Sequence, residues 1–204
     1  MRKSHLAVNH RALDDAIIRY RAFMEKIIAA QRVINTVGEK RDLAESVLLR
    51  ILANWEAFVD EQLVDCINID TSKLSDFLGV PIPTHLSKNM CEAILFSGGY
   101  RDFPSYSSLK GFSKKILPDS SNPFIHVHSS RTSAIDEMYK IRNYLSHYSS
   151  AAQRGLMRMY RVKYEYERFI EPGRFLLGNE GEMLWRYFDM LEAASQDMKD
   201  WYAT

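Results

Sequence analysis

The feature that most constrains the fold of this chain is an apolar pattern of helical period that recurs along its length. Near the N-terminus, apolar residues follow one another at three- and four-residue steps, which predicts an amphipathic helix over residues 8–36. A broader apolar stripe predicts a second long helix over residues 40–68, and Gly38 suits the end of the first helix. Two long helices joined by a short turn form an antiparallel hairpin.

The middle of the chain is less regular. Short helices are expected over residues 71–79, 84–97 and 106–116, whereas the prolines and serines of residues 100–130 are typical of loops. We interpret residues 70–130 as a helical and loop insert that is either mobile or specific to a partner.

The C-terminal part predicts two further core helices. One begins near residues 130–133, reaches residue 148 and continues after a kink at the serines, and the last covers residues 181–202. A break is expected over residues 168–182. No alternating apolar pattern is long enough to predict a strand. The fold class is therefore all-α, a bundle of about four principal helices in a single domain over residues 1–204.

Composition excludes several classes of protein. The net charge of +1 gives no strongly basic field, so contact with a nucleic acid requires a local patch. Cys66 and Cys91 lack metal-site spacing and are expected to be buried thiols. The N-terminus does not resemble a signal peptide, and no apolar run approaches the ~18 residues of a membrane span. We expect a cytoplasmic protein with no membrane contact.

The segment "IRNYLSH" collects a cation, an amide and an imidazole near the expected end of a helix. Asn143 and His147 stack on one helix face because they are one turn apart. Arg142 precedes His147 by five positions and points about 140° away from it. A shared cleft therefore needs a distorted helix, a bent Arg142 side chain or a dimer in which two such helices meet.

The surrounding sequence is cationic. No Asp or Glu occurs between residues 138 and 164, and the cations there alternate with tyrosines. This pattern suits an RNA with unpaired bases, but a solvated basic face with inward-packed tyrosines would give the same sequence. The candidate RNA-binding residues are Lys140, Arg154, Arg158 and Arg161.

Two segments carry a resemblance to a known family. "RNYLSH" resembles the R-x4-6-H signature of HEPN domains, and "NWEAFVDEQL" at residues 54–63 resembles the WE-x-F stretch of an early helix in the RiboL-PSP and related HEPN families. The resemblance covers residues 1–70 and 130–204 and leaves the insert unmatched.

The resemblance implies a metal-independent endoribonuclease of toxin–antitoxin, abortive-infection or antiviral defence systems. It needs no cofactor, and its cleft forms across a homodimer. His147 would act as general base or acid at the 2′-hydroxyl, Arg142 would hold the scissile phosphate, and Asn143 would orient the imidazole or bind the phosphate. The product would carry a 2′,3′-cyclic phosphate. An antitoxin or other defence protein is the expected partner, although Ser149 stands where many such toxins carry a tyrosine that the antitoxin modifies.

Several assignments stay open. Glu56, Tyr144 and Tyr148 are candidates for supporting roles. A non-catalytic HEPN-like module that binds RNA, a nucleotide or a protein partner is the main alternative. A metal-dependent hydrolase that uses His126 and His128 would need an acidic residue beside them.

Overall fold

A computed structural model describes residues 3–29, 36–84, 86–96, 103–178 and 181–203 of the chain, and these ranges contain no β-strand. Nine α-helices lie in them. Their bounds are α1 (Lys3–Ala29), α2 (Val37–Ile69), α3 (Ser72–Leu78), α4 (Lys88–Phe96), α5 (Tyr106–Ile116), α6 (Ser129–His147), α7 (Ser150–Tyr164), α8 (Pro172–Leu177) and α9 (Glu182–Ala203). The all-α prediction is confirmed. None of these helices combines the length and the apolar character that a membrane span requires.

Four helices form the central bundle, as the sequence predicted. α1 packs on α2 and α9, and α6 closes the ring by packing on α2 and α9. Polar contacts show that α1 and α9 are antiparallel. The Nζ atom of Lys199 lies 2.5 Å from Oδ2 of Asp14, and later in α1 the Nη2 atom of Arg21 lies 2.8 Å from Oδ1 of Asp189, which is earlier in α9. α7 packs outside this bundle on α6, and α8 packs on α2 and α9.

α2 is the longest helix and the axis of the core. Its first turn, which includes Gly38, is fixed by a capping box, in which Thr36 accepts a hydrogen bond from the backbone N–H of Glu39 and the Glu39 carboxylate accepts one from Thr36. Its apolar stripe is buried from Ala44 to Ile67, and Trp55 has no exposed surface. The hydrophobic effect on this stripe therefore anchors α2, and with it the neighbouring Glu56.

The predicted kink between residues 148 and 150 is instead a complete reversal of the chain. α6 ends at His147, Tyr148 adopts a left-handed conformation, and the Ser149 side chain caps α7 by accepting from the N–H of Ala152. Lys163, near the end of α7, contacts Ser133 at the start of α6, so the two helices are antiparallel. The serines predicted a change of direction, and the left-handed residue makes it a full turn.

The described part of the insert packs against the core. α3, α4 and α5 each bury apolar side chains, and the Tyr106 hydroxyl donates to the carbonyl of Phe124 at 2.9 Å. Residues 97–102 lie outside the described ranges, as do residues 30–35 of the first predicted helix. Within the predicted break, α8 is a short helix that begins at Pro172, because proline is favourable in a first helical turn.

Gly173 provides the first testable prediction. A Cβ atom there would lie 2.6 Å from the Cβ of Arg41 and 2.8 Å from its carbonyl oxygen, so α8 would have to move away from α2. The movement would also strain the 2.7 Å hydrogen bond from the Gly173 N–H to Oε1 of Glu45. We expect Gly173→Ala to lower the free energy of unfolding by about 1–3 kcal/mol in urea titrations.

The control for this variant is Gly155→Ala. Gly155 lies in the interior of α7, and apart from the neighbouring backbone of that helix no atom lies within 4 Å of a Cβ built on it. Alanine should raise the free energy of unfolding there by up to about 1 kcal/mol because it is the better helix former. If both substitutions change the free energy of unfolding equally, the close approach of Arg41 does not determine the effect at Gly173.

Candidate active site

Arg142 lies where α6 crosses α2. Ile141 and Leu145 direct one face of α6 into the core, which leaves Arg142 at the edge of that buried face with its side chain 19% exposed. Its Nη2 atom lies 3.5 Å from Oε1 of Glu56, whose side chain is 17% exposed. Glu56 follows the buried Trp55, so the core fixes the carboxylate that neutralises this guanidinium.

Asn143 holds the same guanidinium from a second side. Nη1 of Arg142 donates to Oδ1 of Asn143 at 3.2 Å. An amide whose oxygen faces Arg142 directs its two N–H donors elsewhere, where they can meet an anionic acceptor. The structure therefore brings together three of the residues that the sequence singled out, Glu56, Arg142 and Asn143.

His147 lies one turn beyond Asn143, in the last turn of α6, and its side chain is exposed. Arg142 points towards α2 while His147 faces solvent, as the helical angle between them predicts. An exposed imidazole thus lies five positions along α6 from a cation held at the edge of the core.

Asp60 extends the acidic surface of α2 by one turn beyond Glu56. Burial raises the pKa of its carboxyl group to about 6, and the charges of Glu56 and Glu61 add to the effect. Glu56 and Asp60 therefore repel each other across one turn of α2, and the contact with Arg142 offsets the charge of Glu56.

The predicted cationic strip is divided by the fold. The exposed residues are Lys140 on α6 and, on α7, Arg154, Arg158 and Arg161, which follow at four- and three-residue steps and share one face over about 10 Å. Lys163 is also exposed, but its Nζ atom forms an ion pair of 2.6 Å with the buried carboxylate of Glu137. The four candidate RNA-binding cations are therefore all exposed, whereas Lys163 belongs to the cluster around Glu137.

The tyrosines of this region mostly face the core, in agreement with the inward-packed interpretation. Tyr139, Tyr144 and Tyr160 are buried, and Tyr164 is partly buried and donates to Glu137. Tyr144, expected to support the site, packs on Phe169 with ring centroids 5.2 Å apart and on Tyr148 at 5.3 Å. Tyr148 differs from the others because it is 67% exposed.

The sequence did not indicate the role of Glu137. Its carboxylate is 1% exposed and lies within 3.1 Å of Lys163, Tyr164, Arg186 and Tyr187. Burial acts to raise the pKa of Glu137, but hydrogen bonds and charges of these partners outweigh it and the pKa is lowered. This cluster joins α6 to α7 and α9. The one indication in the sequence that Glu137 has a particular role was its position as the last acidic residue before the acid-free segment.

The two histidines considered for a metal do not form such a site. The His126 ring stacks on Trp201 with centroids 5.5 Å apart, and Nδ1 of His128 lies 2.8 Å from Oγ of Ser130 at the start of α6. Within the described ranges, no group of three His, Cys, Asp or Glu residues could hold a metal ion. An acidic residue does lie beside them, but Asp197 accepts from the backbone N–H of His128 at 3.0 Å and pairs with Arg131 at 3.1 Å, so its carboxylate is already engaged.

No family model, curated protein or solved structure matches this chain. Inferences about function therefore depend on the contacts made by α2, α6 and α7. These contacts place an anchored guanidinium, an amide, an exposed imidazole and a row of exposed cations on two adjoining helices.

Proposed function

We propose that this protein is an HEPN-type endoribonuclease that cleaves RNA without a metal ion. The observation that carries the proposal is the arrangement at the end of α6, where the exposed imidazole of His147 follows a guanidinium held by Glu56 and Asn143. Cleavage of this kind needs a proton acceptor for the 2′-hydroxyl and a fixed positive charge for the phosphate.

His147 would take the proton of the ribose 2′-hydroxyl as the 2′-oxygen attacks the adjacent phosphorus. The bond to the 5′-oxygen of the next nucleotide then breaks and that oxygen takes up a proton from the protonated imidazole, which leaves a 2′,3′-cyclic phosphate and a 5′-hydroxyl. Imidazole suits this step because it exchanges protons near neutral pH. The exposed position of His147 allows RNA to reach it.

Arg142 would bind the nonbridging oxygens of the scissile phosphate and stabilise the charge that grows on them. A guanidinium has five N–H donors, so its contacts with Glu56 and Asn143 are compatible with bonds to phosphate. Glu56 acts as a positioning residue, since it fixes Arg142 before substrate binds. Asn143 can donate to the same phosphate.

In this proposal, a dimer brings Arg142 and His147 together in one cleft. Arg142 and His147 project from different sides of α6, so one copy presents them at an angle. Two copies related by a twofold axis would place the α6 ends around one cleft and supply both groups to it. The setting we propose is a toxin or defence effector restrained by an antitoxin or another partner protein.

The exposed cations of α7 predict the salt dependence of RNA binding. The triple variant Arg154→Gln, Arg158→Gln and Arg161→Gln should flatten the slope of log affinity against log salt by about 2, because each phosphate that a cation neutralises adds roughly 0.7 to that slope. Fluorescence anisotropy with single-stranded RNA at several salt concentrations measures this slope. Glutamine at the exposed Arg11, Arg50 and Lys114 of other helices makes the matched control, which should keep the slope of the wild type.

The test of the proposed activity is RNA cleavage by the purified protein in excess EDTA. We expect products with 5′-hydroxyl ends, which polynucleotide kinase labels without prior phosphatase treatment, and with 2′,3′-cyclic phosphate ends, which mass spectrometry identifies. RNA that is bound but never cut would contradict the enzyme and support the non-catalytic binding module. Cleavage that EDTA abolishes would contradict the metal-independent mechanism.

A further inference from the structure

Tyr148 has an unusual backbone conformation for its residue type. It ends α6 with φ 45° and ψ 27°, in the left-handed region that glycine and asparagine occupy most readily. Strained positions of this kind persist where the surrounding structure holds them, and they concentrate at functional sites. A large aromatic residue is therefore unexpected at this helix end unless its ring has a role.

The surroundings hold the ring in one place. The Tyr148 N–H donates to the carbonyl of Tyr144 at 2.7 Å, and the two rings pack with centroids 5.3 Å apart. Tyr144 is itself buried and packs on Phe169. The core thus supports the Tyr148 ring from one side, and 67% of the residue remains open to solvent.

The open ring belongs to the residue that follows the proposed catalytic histidine in the chain. Tyr148 follows His147, and the arginines of α7 begin six positions later. Between residues 138 and 164, all of which the structure describes, the other tyrosines are buried or partly buried. An aromatic face beside an imidazole and a row of cations has the chemistry that a nucleobase and its phosphates require.

We infer that Tyr148 is a specificity-determining residue, on whose ring the nucleobase flanking the scissile phosphate stacks. The inference rests on the proposed ribonuclease function. A purine covers more of the ring than a pyrimidine does, so a purine is preferred at that position. We expect this stacking to change affinity by about tenfold.

Tyr148→Asn and Tyr148→Phe separate the ring from the backbone. Asparagine tolerates the left-handed conformation but removes the ring, and phenylalanine keeps the ring without the hydroxyl. Tyr166→Asn is the matched control, because Tyr166 is an exposed tyrosine beyond the far end of α7, about 22 Å along the helix from Ser150. Thermal unfolding followed by circular dichroism establishes that all three variants fold.

The first measurement is independent of cleavage. Uncleavable 2′-O-methyl RNA oligonucleotides, each with one 2-aminopurine at a successive position, are bound to the wild type and the variants. Stacking should quench one position in the wild type, in Tyr148→Phe and in Tyr166→Asn, but not in Tyr148→Asn. Quenching that survives in Tyr148→Asn, or that occurs in none of the proteins, would overturn the inference.

The second measurement compares cleavage of oligonucleotides that contain one ribonucleotide linkage flanked by A or by U. The wild type should cut the purine-flanked substrate several-fold faster, and Tyr148→Asn should cut both at the same rate. A preference that Tyr148→Asn retains would contradict the role of the ring. Bound RNA that shows position-specific quenching but is never cut would overturn the proposed function while leaving the stacking site in place.

Discussion

The Glu137→Gln variant is expected to be about 3 kcal/mol less stable than the wild type. The Glu137 carboxylate is buried and accepts from Lys163, Tyr164, Arg186 and Tyr187. Glutamine removes the negative charge and presents an amide N–H₂ group to partners that are themselves donors. Removing one partner of a buried ion pair lowers the free energy of unfolding by about 3–5 kcal/mol. We expect the smaller loss here, because the side chains of Lys163 and Arg186 are 32% and 39% exposed and can turn towards water.

Urea titration of both proteins measures the difference, with Glu25→Gln at an exposed position of α1 as the control for a simple change of charge. The effect should depend on pH. Since the folded state lowers the pKa of Glu137, its stabilisation is complete above the pKa of the unfolded chain and is lost as pH falls through the folded value. The two stability curves should therefore converge in acid. A constant difference at all pH values would assign the effect to packing alone.

The consequence for the site follows from where Glu137 lies. It is on α6, five positions before Arg142, and it joins that helix to α7 and α9. The cluster keeps the two helices that carry the candidate site in a fixed relation. A partly loosened Glu137→Gln protein should bind RNA more weakly even where it remains folded.

The apolar periodicity predicted the four helices of the central bundle because each of them buries one continuous stripe. α5 matched its predicted bounds of residues 106–116, and α2 differed by a few residues at its start and one at its end. The reversal at Tyr148 was predicted only as a kink, because a left-handed tyrosine has no signature in the sequence. α8 lies within a segment predicted as a break, since Pro172 and Gly173 indicate turns as well as helix starts.

For the candidate site, the sequence indicated the residues but not their partners. Helical spacing predicted that Arg142 and His147 diverge, and the WE stretch identified Glu56, which contacts Arg142. Two features depend on distant parts of the chain and could not be predicted. The partners of Glu137 are 26 to 50 residues away in the chain. One of them is Lys163, which the sequence had placed in the cationic strip. Local spacing carries no information about such contacts.

The His147→Ala variant is expected to cut RNA about 10²–10⁴-fold more slowly than the wild type, because it lacks the group that exchanges the proton of the 2′-hydroxyl. Its stability should match that of the wild type, since the His147 side chain is exposed. RNA affinity should change little, because Arg142 and the arginines of α7 remain. Cleavage rates are measured in EDTA under single-turnover conditions, so that the loss is assigned to the chemical step.

The control is His126→Ala, which removes an exposed histidine that stacks on Trp201 and should leave the rate unchanged.

His147→Gly with added imidazole tests the role directly, because an exposed cavity at the end of α6 can admit the free base. Partial recovery of the rate, with no change in unfolding temperature, would assign proton transfer to this position. Full activity in His147→Ala would place the chemistry elsewhere. In that case the guanidinium held by Glu56 and Asn143 would serve RNA binding, and the angle between Arg142 and His147 would carry no catalytic meaning.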